Sequence, residues 1–272
     1  MTVAGFRWIW LLLFVPALAS AQSLPANGKR VSIFNRSMYY EEYGKGHTLL
    51  LLHGGAGSHD DFKSVIPELA KHYHVIAPDS PGHGRSEQAD SLSYPLLAGY
   101  FSAFIDKLKL KDVYVIGFSD GGNAALLLAA NRPDKVTRVM ASGANATTAG
   151  LGNESNSSSA GFTPENVEQH SADWLKWYKS LSPQPDQWKK FVDDSRKMWL
   201  RPLAIPEASL KKIKCPVLLV KGEKDIITPE HGAYLNRMVK DSRLEVIPGS
   251  SHYTFAQKPE RMIALAKDFF PE

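Results

Sequence analysis

Ser119 stands in VYVIGFSDGGNAALLL, residues 113–128, where an apolar run gives way to glycine, serine and two further glycines before a second apolar stretch. Residues Gly117 to Gly121 fit G-x-S-x-G, a pattern that carries chemistry when it lies between a strand and a helix. A serine held out at so sharp a turn can act as the nucleophile of acyl transfer. The competing reading is a plain helix cap. In the nucleophile reading the glycines have a steric reason: the residues two before and two after the serine approach neighbouring backbone, and only very small side chains fit. The partners have to decide between the two readings. The helix that begins at once aims its free N–H groups at the serine. The Asp120 N–H is then placed to stabilise an oxyanion.

Such a nucleophile needs a base and an acid, in the chain order serine, acid, histidine. PGSSHYTF supplies His252 directly after the strand-like RLEVIPG, and VLLVKGEKDIITP supplies Asp225 at the end of PVLLVKG. Glu223 competes, but Asp225 immediately precedes the apolar Ile226-Ile227, which suits a turn that directs a carboxylate inward. The loop after the preceding strand, SGANATT, holds no carboxylate. His53 in HGGAGS and His83 in PGHG read as structural hydrogen-bonding residues. His47, His59, His72, His74, His170 and His231 lie off the late loop where a base belongs. A second oxyanion donor belongs to the loop after TLLLL, and the Gly55 N–H is that donor, with Gly54 against the substrate. No G-K-[ST] follows this loop and no G-x-G-x-x-G follows a strand, which excludes a phosphate loop and a dinucleotide fold. Metal-ligand spacings of the C-x-x-C and H-E-x-x-H kinds are absent from the sequence, so no metal and no cofactor is expected. The single cysteine, Cys215, forms no internal disulfide and reads as a small buried hydrophobe.

The elements that must position these residues follow from periodicity. Strands are expected at 31–35, 37–42, 48–52, 73–78, 112–117, 136–142, 216–222 and 243–249. Phe62, Val65, Ile66 and Leu69 predict a helix beyond Ser58, with Ser58 and Asp61 as a capping pair. Further helices are expected from Tyr94 to Leu108, from the serine through Asn131, near 229–240 and through Phe270. The alternation implies an α/β fold with a mostly parallel sheet and helices on both faces. It stops after the sixth strand. GANATTAGLGNESNSSSAG there is small, polar and loop-like, whereas SADWLKWYKSL and PDQWKKFVDDSRKMWL read as amphipathic helices. The tryptophans beyond the N-terminal segment all fall in this insert: Trp174, Trp177, Trp188 and Trp199. The organisation is therefore a core of residues 22–143 and 207–272 with a helical insert over 144–206.

The 272 residues suit one large α/β domain or two small ones, and 43% apolar and 22% charged residues are ordinary for a globular protein. A formal charge of +4 comes from scattered basic residues without the stripe a nucleic-acid partner requires. Residues 1–21 read as a secretory signal: Arg7 precedes the apolar Trp8 to Leu18, and Ala19-Ser20-Ala21 fits a cleavage site. The run is shorter than the about 20 residues of a bilayer span, so an exported, periplasmic or secreted protein without stable membrane association after cleavage is expected. Asn35, Asn145, Asn153 and Asn156 begin N-x-[ST] sequons that matter only in a glycosylating host. The sequence leaves the oligomeric state open.

Taken together, LLLLHGGAGS, APDSPGHGRS, VIGFSDGGNAALLLAANRP, LLVKGEKDIITP and IPGSSHYTF resemble the α/β-hydrolase superfamily, over nearly all of the chain beyond the signal. The resemblance implies the α/β-hydrolase fold with a helical lid after the sixth strand. It also implies cofactor-free cleavage of a small-molecule ester or amide by Ser119, His252 and Asp225. The S-D-G-G form is similar to the branch of valacyclovir-hydrolase and biphenyl-hydrolase-like enzymes, in which the acid after the nucleophile contributes to binding a substrate amino group. By that resemblance Asp120 binds an ammonium; the alternative is that it caps the helix and favours its dipole. His53-Gly54-Gly55 departs from that branch towards the general esterase and aminopeptidase form. Trp174 and Trp177 would supply an apolar wall for the substrate, or else pack the insert onto the core. An aminopeptidase, a C–C bond hydrolase on the same three residues, and a binding protein that keeps the fold as a ligand pocket stay as alternatives.

Overall fold

The computed structural model describes residues 28–271. The expected signal over residues 1–21 lies outside the described residues. Eight strands run in chain order as β1 Gly28–Ile33, β2 Arg36–Tyr43, β3 His47–Leu52, β4 Tyr73–Pro78, β5 Val113–Phe118, β6 Val136–Ser142, β7 Val217–Gly222 and β8 Ser242–Ile247. The helices are α1 Ile66–Leu69, α2 Tyr94–Lys107, α3 Asp120–Asn131, α4 Asn153–Gly161, α5 Pro164–His170, α6 Ala172–Leu181, α7 Trp188–Trp199, α8 Glu207–Leu210, α9 Pro229–Met238, α10 Thr254–Gln257 and α11 Pro259–Phe269.

The strands form one sheet in the order β1-β2-β4-β3-β5-β6-β7-β8. From β4 to β8 every pairing is parallel, while β2 runs antiparallel to both β1 and β4. Side-chain alternation splits the core into two layers. Leu50, Leu52, Val115, Val139 and Leu219 point to the face covered by α2, α3, α8 and α9. Leu49, Leu51, Ile116, Met140 and Leu218 point to the face covered by α1 and α11. Strands buried on both faces need continuous apolar runs, which is why TLLLL, VYVI and VLLV lie inside the sheet and not at its edges.

Two local expectations change. The helix expected beyond Ser58 is split into a 3-10 turn at His59–Phe62 and the short α1. Pro67 lacks the N–H that a continuous helix would need to bond Lys63. Ser58 Oγ accepts from the Asp60 N–H at 3.2 Å, so Asp61 is not its capping partner. The polar stretch expected as a loop near 150–160 contains α4. Tertiary bonds hold it there: Asn156 Nδ2 donates to Thr148 at 3.2 Å, and Arg196 Nε on α7 donates to the Ala160 carbonyl at 2.9 Å. Between β6 and β7 the chain leaves and returns at one place, since Ala204 and Ile205 N–H both bond the Ala146 carbonyl and Thr147 pairs with Leu203. Among the described residues no helix is long and apolar enough to cross a membrane.

Candidate active site

The carboxyl ends of the parallel strands carry the polar cluster, where an open α/β sheet leaves room for a ligand. β5 ends at Phe118 and α3 begins at Asp120, so Ser119 takes the whole turn at φ 52 and ψ −116. A non-glycine residue at that φ is strained, and the surrounding backbone fixes it there. Ser119 N–H donates to the Ser142 carbonyl at 2.8 Å, and the Ser119 carbonyl accepts from Asn123 at 3.0 Å. A Cβ on Gly117 would lie 2.8 Å from Gly122 Cα, and one on Gly121 would lie 2.6 Å from the His53 carbonyl oxygen. The glycines of the motif thus let α3 start hard against β3. The Ser119 side chain makes no capping bond.

Its Oγ lies 2.9 Å from His252 Nε2, and His252 Nδ1 lies 2.7 Å from Asp225 Oδ1. Asp225 Oδ2 also accepts from the Gly222 N–H at 3.0 Å, and Oδ1 from the Ile227 N–H at 3.1 Å. Burial pushes the Asp225 carboxyl up, but the His252 charge and hydrogen bond and these two N–H groups outweigh it and hold the acid below its ordinary range. An ionised carboxylate only accepts, so Nδ1 carries the ring proton and Nε2 is left to take one from Ser119. Glu223 is engaged elsewhere: its Oε2 accepts from the Gly249 N–H at 2.8 Å. Thr254 Oγ1 lies 2.9 Å from Ser142 Oγ, which ties the loop of His252 to the end of β6.

The loop after β3 faces this group. A Cβ on Gly54 would lie 3.3 Å from Ser119 Cβ, while the Gly54 N–H donates to Asp61 Oδ2 at 3.1 Å. Gly54 therefore sits at the serine with its N–H committed elsewhere. Among the described residues neither the Gly55 nor the Asp120 N–H bonds an acceptor, which leaves both for an oxyanion. The Asp120 carboxylate lies behind Gly55, where Oδ1 accepts from Tyr94 Oη at 2.8 Å and Oδ2 from Trp199 Nε1 at 2.7 Å. Burial raises the Asp120 pKa, and these two bonds offset that only in part. Trp174 on α6 donates its indole N–H to the Ala56 carbonyl at 2.9 Å. Trp177 lies one turn further on, half-buried against the core, with no hydrogen bond or ring contact to the serine, histidine or glycine loop among the described residues.

Sequence reasoning missed Tyr94, Trp199 and Asp61 as supports of the site. Burial pushes the Asp61 carboxyl up to about 7 in spite of the Gly54 N–H bond. His53 and His83 are buried and structural: His53 Nε2 accepts from the Ser80 N–H at 2.9 Å, and His83 Nδ1 donates to the Pro81 carbonyl at 3.0 Å. Burial pulls His83 down to about 3. No group of three or more His, Cys, Asp or Glu side chains among the described residues could hold a metal ion.

Behind the loop, His59 bridges Asp79 at 2.7 Å and Glu41 at 3.3 Å. Burial opposes the imidazolium, but the bonds to Asp79 and Glu41 and the charges of Asp79 and Asp60 outweigh it and raise His59 from 6.5 to about 10. Glu41 is held at about 2, below its ordinary 4.5: burial works against the charge, and the bonds from His59, Tyr39 and Tyr43 overcome it. A raised base contributes stability that is complete below its unfolded pKa and is lost as pH rises through the folded one; a depressed acid loses its contribution as pH falls. The cluster thus supports the fold most between about pH 4.5 and 6.5, with loss towards pH 10. The difference in Tm between the wild type and His59→Gln should be largest near pH 6 and shrink towards pH 10, read by calorimetry across that range. A difference independent of pH would mean that His59 is uncharged in the fold.

The model of the Alpha/beta hydrolase family matches residues 49–265. Human Serine hydrolase BPHL is 29% identical over 275 residues, covering 92% of this chain and 89% of the relative. A pimeloyl-[acyl-carrier protein] methyl ester esterase of Neisseria meningitidis is 32% identical over 238 residues, covering 80% of this chain and 91% of that protein. A solved meta-cleavage product hydrolase of Pseudomonas fluorescens superimposes with a TM-score of 0.74 at 22% identity, over 89% of this chain and 97% of the other. With that match across most of its length and these relatives, the chain belongs to the alpha/beta hydrolase family, with the mostly parallel eight-stranded sheet of that fold.

Proposed function

We propose that the protein is a serine hydrolase that cleaves a small carboxylic ester or amide through an acyl-enzyme. One observation carries the reading: His252 lies within hydrogen-bond reach of Ser119 on one ring nitrogen and of the buried Asp225 on the other. Ser119 Oγ attacks the carbonyl carbon while its proton passes to His252 Nε2. The carbonyl oxygen becomes an oxyanion held by the Gly55 and Asp120 N–H groups. The tetrahedral species collapses, the leaving group departs with the proton from Nε2, and the acyl group stays on Ser119. Water, deprotonated by the same nitrogen, releases the acid and restores the serine. Asp225 orients the imidazole and stabilises its charged form. The reaction calls on no cofactor.

Asp120 gives two answers to two questions. Its N–H supports the oxyanion reading. Its carboxylate oxygens each already accept a bond, from Tyr94 and from Trp199, and lie behind Gly55. We therefore read it as a packing hub and not as an ammonium receptor. Residues 144–206 form a lid over the serine in this reading, with Trp174 among the aromatic groups beside the substrate loop. The test is labelling by a fluorophosphonate, together with hydrolysis of p-nitrophenyl acetate, p-nitrophenyl butyrate and an aminoacyl ester. Labelling and turnover, fastest on the uncharged acyl esters, are expected. Absence of both labelling and turnover would return the chain to the ligand-binding alternative. Preference for the aminoacyl ester would restore Asp120 as an amino-group receptor.

A further inference from the structure

Of the polar contacts that the insert between β6 and β7 makes with the catalytic end of the sheet, two come from tryptophan N–H groups and reach the surroundings of Gly55. Trp174 on α6 reaches the Ala56 carbonyl, and Trp199 at the end of α7 reaches Asp120 Oδ2. The two acceptors bracket Gly55. Ala56 is one of the few non-glycine residues at positive φ, 55°, so the direction of its peptide is strained and needs an external tie. On the other side, a Cβ on Gly55 would lie 2.7 Å from Trp199 Cζ2 and 3.0 Å from Asp120 Cγ. The loop backbone thus rests directly on the pair that Trp199 and Asp120 make.

The two rings act as one piece. Phe162 packs between them, with centroids 5.6 Å from Trp174 and 4.9 Å from Trp199. Trp174 also stacks on Tyr178 at 5.4 Å, and Tyr178 on Phe191 at 4.9 Å. Tryptophans that serve only as a wall for substrate would turn their polar edge to water or to the ligand. Here each N–H is spent on the core. An oxyanion donor works only if it is held in place before charge develops, because a donor that must reorganise loses most of its advantage.

We propose that Trp174 and Trp199 are positioning residues that hold the Gly54–Gly55–Ala56 loop in register with Ser119, through indole N–H bonds to Ala56 and Asp120. The insert then sets the rate of the chemical step as well as covering the substrate. This inference rests on the serine-hydrolase reading for its kinetic consequence, and on the loop alone for its structural one.

Trp→Phe substitution removes the N–H and keeps most of the ring packing. With p-nitrophenyl butyrate, Trp174→Phe and Trp199→Phe are each expected to lower kcat by about tenfold with KM little changed, since a donor that has lost its support forfeits part of the 10²–10³-fold a complete donor provides. Trp188→Phe serves as control for general loosening of the insert; its ring lies under the Lys179 and Lys189 ammonium groups, the bonds to Ala56 and Asp120 come from the other two tryptophans, and its kcat should stay at the wild-type level. Hydrogen exchange is measured on the same proteins. Amides of residues 54–57 should exchange faster in the first two variants, and those of β5 and β6 should not. A rise in KM at constant kcat, or unchanged exchange in the loop, would overturn the proposal and leave the tryptophans as pocket lining. If the wild type hydrolyses no ester, the hydrolase reading fails, yet the exchange result still decides whether the two bonds hold the loop.

Discussion

Ser119→Ala is expected to lower kcat/KM on p-nitrophenyl butyrate by about 10⁴-fold or more, with Tm within a few degrees of the wild type. The first part follows from the geometry of one atom. Ser119 Oγ is the only part of the side chain removed, and it is the atom 2.9 Å from His252 Nε2. Without it the base has no proton to take and the carbonyl has no nucleophile. What survives is the oxyanion pair and substrate binding, which acting alone leave a rate far below the intact set. The second part follows from the turn. Alanine keeps the Cβ that already tolerates φ 52, and the backbone bonds from Ser119 to Ser142 and Asn123 are untouched. His252→Ala should cost nearly as much, and the double variant hardly more than either single one, since the residues act as a unit. Nitrophenolate release under saturating and limiting substrate reads all three. If Ser119→Ala kept a tenth of the wild-type rate, the attacking atom would lie elsewhere, and the strained turn would need another purpose.

The meeting of Ser119, His252 and Asp225 was legible in the sequence because each residue has a local signature. Gly117 and Gly121 stand where a Cβ would meet backbone, so the motif is a record of collisions avoided. His252 and Asp225 follow predicted strands in the order the chemistry requires. The sheet was legible for a similar reason: strands buried on both faces need continuous apolar runs, and Leu49–Leu52 of β3, Val113–Ile116 of β5 and Val217–Val220 of β7 are such runs. What could not be read was whatever depends on distant partners. The Trp199–Asp120 bond spans 79 positions and the Trp174–Ala56 bond 118, and no local pattern announces either. Asp61 looks like the partner of Ser58 at capping distance, yet it accepts from Gly54, which lies seven positions before it. α4 forms from serine, asparagine and glycine, whose propensities disfavour a helix, because bonds from Asn156 and Arg196 secure it.

Gly121→Ala should be the most damaging single methyl addition in the core. The new Cβ would collide with the Leu52 carbonyl oxygen and lie 2.6 Å from that of His53. Both oxygens belong to backbone, which cannot swing aside as the end of a long side chain can. Leu52 closes β3, fully buried and paired with Gly117 of β5, so the sheet cannot retreat without loss of its central ladder. The start of α3 must move instead. That shift costs about 3 kcal/mol, at the upper end for an overpacked core, against which the gain in helix propensity from glycine to alanine is about 1 kcal/mol at most. For a chain of this size the net loss corresponds to a fall in Tm of about 5 °C or more. Activity should fall further than stability, because Ser119 and the Asp120 N–H ride on the same turn. Gly99→Ala on α2 isolates the propensity effect: nothing lies within 4 Å of its Cβ position, and a gain of about 0.5–1 kcal/mol is expected there. Thermal unfolding of the two variants beside the wild type should therefore give shifts of opposite sign. A Gly121→Ala protein as stable and as active as the wild type would mean that α3 does not start against β3, and the placement of the oxyanion donors would fall with it.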